Sequence, residues 1–255
     1  MSESVRVAII TGASSGMGWA LAKELAREGY RVGVLARRRE PLEQLAGEIR
    51  QAGGVCEFET ADVGERVPTL EAIHRLSERV GPADLLVACA GTGAETYVDP
   101  MNVEEVERMM RVNLFGVIYA IEAVLPDMLK RGRGHVAAVA SLAAYKGFPG
   151  QGGYCASKAA VKVYLESLRL QLRFRGIDVT CLCPGFVKTP MTQSHPFNMP
   201  FLLEADEAAR RMAKALRKKA KVFNFPWVTS RLVKLTYWVP DRIMVRFTRG
   251  TYRER

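Results

Sequence analysis

Seven short runs of apolar and β-branched residues, separated by stretches of helical spacing, constrain this chain more than any other feature of its sequence. The runs lie near residues 5–10, 31–36, 55–60, 84–89, 134–140, 178–183 and 222–225, and the helical stretches near 18–28, 41–52, 65–79, 103–130, 154–175 and 204–220. Segments such as Leu85-Leu86-Val87-Ala88 and Val136-Ala137-Ala138-Val139 have no polar side, so both of their faces must be covered. Strands of that kind joined through helices make a doubly wound, seven-stranded parallel sheet with helices on both faces, a Rossmann-type α/β fold. No linker, repeat or low-complexity stretch interrupts the pattern, which gives a single domain over 1–255.

The first run ends in Thr11-Gly12-Ala13-Ser14-Ser15-Gly16-Met17-Gly18, and a helical pattern opens directly behind it. Glycine at such a junction permits a tight turn, lets the backbone approach a pyrophosphate and allows close helix–strand packing. The helix start then offers unpaired N–H groups and a positive dipole end to the anion. The second run, Val32-Gly33-Val34-Leu35-Ala36, ends in Arg37-Arg38-Arg39, with no carboxylate before Glu40. An acid there would bond the ribose 2′-hydroxyl of NAD, whereas arginine accepts a 2′-phosphate. The pattern favours NADP(H), with Arg37 as the main phosphate ligand.

Tyr154 and Lys158 stand four residues apart on a predicted helix and project from one face. A tyrosine with a pKa of about 10 is a poor base at neutral pH, and a neighbouring ammonium that stabilises its phenolate makes it a usable acid/base. Ser141 ends an apolar strand thirteen residues earlier, at the carboxyl edge where doubly wound sheets bind ligands. Asn113 sits in an apolar helical stretch where a buried amide needs a partner.

Through these residues in order, the chain resembles the short-chain dehydrogenase/reductase superfamily over roughly residues 5–190. The likeness is carried by the glycine turn at 12–18, Asp62-Val63, Ala90-Gly91, Asn113, Ser141, Tyr154 with Lys158, and Pro184-Gly185 with Thr189. It implies that Tyr154 is the proton donor in reduction, that Lys158 lowers its pKa and binds the nicotinamide ribose, that Ser141 orients the substrate carbonyl, and that Asn113 holds a relay water. It further implies that Asp62 and Val63 contact adenine and that Pro184, Gly185, Val187 and Thr189 border the nicotinamide and phosphates. The expected reaction interconverts a carbonyl and a secondary alcohol, Tyr154 protonating the alkoxide as hydride arrives from NADPH, and Ser141 stabilising its charge. Two departures stand out: Cys89 replaces the asparagine the family commonly has before Ala-Gly, and the chain ends in a basic, aromatic extension instead of a glycine-rich strand and loop. That ending looks more like the endings of membrane-associated and hydroxysteroid- or keto-lipid-type members. A nucleotide-sensing module of the same fold without turnover would be marked by loss of Tyr154 or Lys158, and both are present.

Residues 186–203, with Met191, Phe197, Met199, Phe201, Leu202 and three prolines, are expected to form a lid whose Met and aromatic side chains suit a lipophilic substrate over a small polar one. His195 of that loop reads as a surface residue, and His74 and His135 lack partners at metal-ligand spacing, so no metal is expected. Helices near 103–130 and 154–175 are apolar on more than one side, which suggests a homodimer or homotetramer, burial under the chain's own loops being the alternative. Five cysteines in apolar patterns, the absence of a leader-like start and the lack of an unbroken apolar run of spanning length point to a cytoplasmic protein with reduced thiols. Of the net charge of +10, residues 217–255 hold 11 Lys/Arg against 2 Asp/Glu, a surplus of 9, and no nucleic-acid motif accompanies them. In that tail Trp227, Leu232, Leu235, Trp238 and Val239, then Ile243, Met244 and Phe247, recur at helical spacing beside Arg231, Lys234, Arg242, Arg246 and Arg249. Two short amphipathic helices are expected, either on an anionic membrane or docked on the domain or a partner subunit.

Overall fold

Neighbouring residues of the first strand feed two separate hydrophobic cores, and this is why the central strands of the sheet are apolar on both faces. In the computed structural model, which describes residues 5–193 and 199–248, Ala8 and Ile10 of β1 (Val7–Thr11) join one core while Ile9 between them joins the other. The other strands are β2 (Arg31–Ala36), β3 (Cys56–Thr60), β4 (Leu85–Ala88), β5 (Gly134–Val139), β6 (Ile177–Pro184) and β7 (Val222–Phe225). All pair in parallel in the order β3-β2-β1-β4-β5-β6-β7, so the strand order reverses between β1 and β4. Ligands of doubly wound sheets bind in the crevice that this reversal opens at the carboxyl ends of the strands.

One face is covered by α1 (Gly16–Arg27), α2 (Arg39–Gln51) and α8 (Ala205–Arg217), which bury Leu21, Leu25, Leu45 and Met212 against Val34 and Leu182. The other is covered by α3 (Arg66–Val80), α5 (Gly116–Arg131) and α6 (Gly152–Leu172), with Leu76, Ile121, Val161 and Leu165 packed on Leu35, Leu86 and Val136. The stretch expected as one helix over 103–130 is α4 (Val103–Met110), a π-turn at Arg111–Phe115, then α5. Together these run from 103 to 131 and are long and apolar enough to cross a membrane, yet Met109, Val117, Ala120, Val124 and Met128 are buried in the fold. The tail forms the two expected helices, α9 (Trp227–Thr236) and α10 (Asp241–Thr248). Inside the expected lid lies a short helix, α7 (Pro190–Gln193); Phe197 and His195 of the lid and Arg249 of the tail fall outside the described residues.

Candidate active site

The turn from β1 into α1 is shaped by glycines that no larger residue can replace. Gly12 has φ +72°, and a β-carbon there would lie 2.5 Å from the Ala90 Cα, while one at Gly18 would strike the Gly12 carbonyl oxygen. The turn therefore packs directly on the segment behind β4, where the Ala90 N–H donates to Thr11 Oγ1 at 3.2 Å. A cleft of about 370 Å³ opens above it. The expected nucleotide residues Gly12, Ser14, Ser15, Gly16, Met17 and Gly18 from the turn, Arg37, Asp62 and Val63, Ala90 and Gly91, and Pro184, Gly185, Val187 and Thr189 all line this cleft. Arg37 stands 3.6 Å from an Asp62 carboxylate oxygen, and Arg38 donates to the Ser14 hydroxyl at 3.1 Å and to its carbonyl at 3.2 Å. Both guanidinium groups thus border the cleft, Arg37 beside Asp62 and Arg38 on the glycine turn, where Arg37 was expected as the main phosphate ligand. These features fit a dinucleotide: a close-approach cradle at a helix start for the pyrophosphate, and two cations bordering it.

At the opposite end of the cleft, α6 and the end of β5 bring the chemistry together. Ser141 caps a 3-10 turn at Leu142–Tyr145, its Oγ accepting from the Ala143 N–H at 3.1 Å. Ser141 and Tyr154 line the cleft together. Burial raises the Tyr154 pKa, and the neighbouring Ser141 hydroxyl works against that rise. One turn along α6, the Lys158 ammonium lies 5.9 Å from the Tyr154 ring centroid and donates to the Val139 carbonyl at 2.9 Å. Removed from water, Lys158 is pushed down to about 8.

Asn113 does not face the cleft. It is buried in the π-turn, where its Oδ1 accepts from the Thr92 N–H at 2.8 Å and its Nδ2 donates to the Thr92 carbonyl and to Ser157 Oγ, each at 2.9 Å. Both amide protons are therefore held inside the protein, and the side chain ties the segment after β4 to α6. The adjacent Gly91 leaves room for this: a β-carbon there would stand 3.2 Å from Lys158 Nζ and 3.3 Å from Asn113 Oδ1.

A second cavity of about 310 Å³ adjoins the cleft, and the two share Ser141, Tyr154, Gly185, Met191 and Thr192. Its walls include Leu142, Ala143, Phe148, Pro149, Phe186, Met199 and Val233, with Gln151, Thr229 and, alone as a carboxylate among the described residues, Glu95. Of the expected lid, Met191 and Met199 reach the cavity, whereas Phe201 and Leu202 are exposed. The loop is closed at its base by Lys188 N–H to Leu203 O at 2.8 Å and Leu203 N–H to Phe186 O at 3.0 Å. Sequence reasoning missed Thr92 and Arg108 on the cleft, Ser157 behind it, and Thr229 and Val233 on the cavity. Arg108 donates to Thr92 Oγ1 at 2.8 Å, a pairing across sixteen residues that no local pattern announces. His135 is a core residue, its Nε2 2.8 Å from Thr180 Oγ1 and its pKa pushed down to about 4 by burial.

Residues 6–199 match the family model described as short chain dehydrogenase. An uncharacterized oxidoreductase of Myxococcus xanthus is 41% identical over 235 residues, which span 91% of this chain and 93% of that one. Among solved structures, a variant of actinorhodin polyketide ketoreductase with NADPH superposes with a TM-score of 0.80 at 30% identity, covering 86% of this chain and 95% of its own. An alcohol dehydrogenase from the archaeon Thermococcus sibiricus, complexed with 5-hydroxy-NADP, gives a TM-score of 0.78 at 31% identity, with coverages of 87% and 95%. With the family model matching most of the chain, the protein belongs to the short-chain dehydrogenase family of oxidoreductases.

Proposed function

We propose that this protein is an NADP(H)-dependent oxidoreductase that interconverts a lipophilic ketone and its secondary alcohol. The observation that carries the reading is the position of Ser141 and Tyr154 at the junction of a polar, arginine-bearing cleft and an apolar cavity. Bound in the cleft, the nicotinamide dinucleotide supplies or accepts hydride. In reduction, Tyr154 gives its phenolic proton to the carbonyl oxygen, Ser141 holds that oxygen by a hydrogen bond, and the Lys158 ammonium stabilises the phenolate left behind. The reverse reaction uses the same groups, with Tyr154 accepting the proton. Arg37, Arg38 and the missing acid after β2 support NADP(H) over NAD(H). The walls of Leu142, Phe148, Phe186 and Met199 support a substrate that binds by apolar contact. We further propose that the chain works in the cytoplasm as a homodimer or homotetramer, the first supported by five free cysteines and the second by apolar side chains on the outer surfaces of α5 and α6.

The test is NADPH oxidation followed by absorbance against ketones of graded chain length, with Tyr154→Phe alongside. Rising kcat/KM with chain length, lost in Tyr154→Phe, is expected. Nucleotide binding without turnover of any ketone, aldehyde or keto-lipid would favour a nucleotide-sensing module. A preference for small polar carbonyls would overturn the substrate class alone.

A further inference from the structure

Helix α9 has two faces of opposite use. Thr229 and Ser230 are buried against the fold, and Thr229 and Val233 line the apolar cavity. The outward side, with the turn that follows, carries Trp227, Leu232, Leu235, Tyr237 and Trp238, which are between 52% and 81% exposed. Large aromatic groups so far in water cover no part of this chain's core. Cations stand beside them: the Arg231 guanidinium lies 5.2 Å from the Trp227 ring centroid, and the exposed Lys234 packs back on the ring of Tyr145, 5.1 Å from its centroid, at the edge of the same face. Over residues 226–248 the charged side chains are Arg231, Lys234, Arg242, Arg246 and a single acid, Asp241, whose carboxylate stands 3.9 Å from Lys146.

We propose that the outer face of α9 and α10 docks on an anionic lipid surface. Tryptophan and tyrosine combine an apolar ring with a polar edge and settle where hydrocarbon meets headgroups, while Arg and Lys extend to the phosphates around them. Charge decides between a membrane and a second copy of the chain. In a two-fold contact each surface meets itself, so the arginines and lysines of α9 and α10 would be pressed against their own kind, whereas anionic headgroups neutralise them. Docking in this way sets the wall that α9 contributes to the cavity beside the lipid. The docking itself does not depend on what the enzyme reduces.

The experiment is co-sedimentation of the full chain with vesicles of phosphatidylglycerol and phosphatidylcholine, or of phosphatidylcholine alone. Partitioning should be at least tenfold greater on the anionic vesicles. It should fall as salt rises from about 0.1 M to about 1 M, which shortens screening from about 10 Å to about 3 Å. Brominated acyl chains should quench tryptophan fluorescence on the anionic vesicles. The triple variant Trp227→Ser, Leu235→Ser, Trp238→Ser should lose at least tenfold in partitioning while keeping its reduction of a water-soluble ketone. A quadruple Gln variant at Arg231, Lys234, Arg242 and Arg246 should lose the preference for anionic vesicles. Retention of wild type in the supernatant at low salt, equal binding to neutral vesicles, or unchanged binding by the triple variant overturns the proposal. A wild type that ignores vesicles but whose mass falls in the triple variant assigns the face to a second copy instead.

Discussion

Lys158 reaches the Val139 carbonyl from a buried position at the floor of the cleft, and the sign of that burial can be measured. Its pKa is about 8 in the folded protein, against about 10.4 in an unfolded chain. Below about pH 8 both states hold the proton, and the folded state bears the whole penalty, about 3 kcal/mol at 1.36 kcal/mol per pKa unit. Between pH 8 and about 10.4 only the unfolded state still holds it, so folding gains stability as pH rises. In urea unfolding of the nucleotide-free protein, Lys158→Met should therefore be more stable than wild type at pH 7, with the gap closing over that window. An equal or lower stability of the variant at pH 7 would mean the ammonium is solvated or paired. Tyr154 titrates in the other sense. Because burial raises its pKa, ketone reduction should stay level through neutral pH and decline only on the alkaline side, while alcohol oxidation climbs there. At the other end of the cleft, Arg38→Glu should weaken NADPH at least tenfold, about 1.4 kcal/mol, and leave NADH unharmed in a direct binding titration. Tyr154, Lys158, Ser141 and the arginine run were legible because their chemistry is carried by residue type and short spacing. Thr92 and Ser157 were not, since each owes its place to Asn113, 21 and 44 residues away.

At the scale of elements, the central strands β1, β4 and β5 were the most legible because both of their faces are buried and neither carries a polar alternation, unlike the edge strand β3 with Glu57 and Glu59. What the sequence hid was the π-turn between α4 and α5, since the rotation that one added residue imposes cannot be seen in a stretch apolar on more than one side. Its function is to aim the Asn113 amide at the backbone of Thr92. Asn113→Ala strips the Thr92 N–H and carbonyl of their buried partner, and each such loss costs about 1–3 kcal/mol. A fall in Tm of roughly 5–15 °C is expected for a chain of this size, with kcat dropping because Thr92 lines the cleft. An unchanged Tm in calorimetry would show that water replaces the amide. Helix α9 turns its polar-looking positions Thr229 and Ser230 inward and its large apolar side chains Trp227, Leu232 and Leu235 outward, an orientation that spacing alone does not give. Val233→Trp, which pushes an indole into the cavity, should raise KM for long-chain ketones several-fold and spare short ones. Equal effects on both would place Val233 outside the substrate path.

For the molecule as a whole, the cavity was the least legible feature, because its walls come from segments around 93–95, 141–155, 185–192 and 229–233, with Met199, that only the complete sheet brings together. The apolar excess noted on the central helices is partly core, as with Met109, Ile121 and Leu165, and partly surface. On the surface, Val163, Leu170 and Phe174 form a stripe at spacings of seven and four along α6 and just past it, each more than 60% exposed. This stripe differs from the outer face of α9. Around Val163 its neighbours Lys162 and Glu166 pair with each other at 3.9 Å, while Arg173 lies 5.5 Å from the Phe174 ring, so the cations gather at one end and an antiparallel two-fold contact sets apolar side chains against their equals with those cations apart. Exposed apolar side chains of this size in a row mark a protein contact surface. Light scattering should thus give a mass of at least twice 28.3 kDa, and the double variant Val163→Glu, Leu170→Glu should reduce it to that of one chain. Vesicle binding should survive in that variant, because the cations and tryptophans of α9 and α10 are untouched. A wild type that already runs as a single chain would leave the stripe without a partner and refute the assembly.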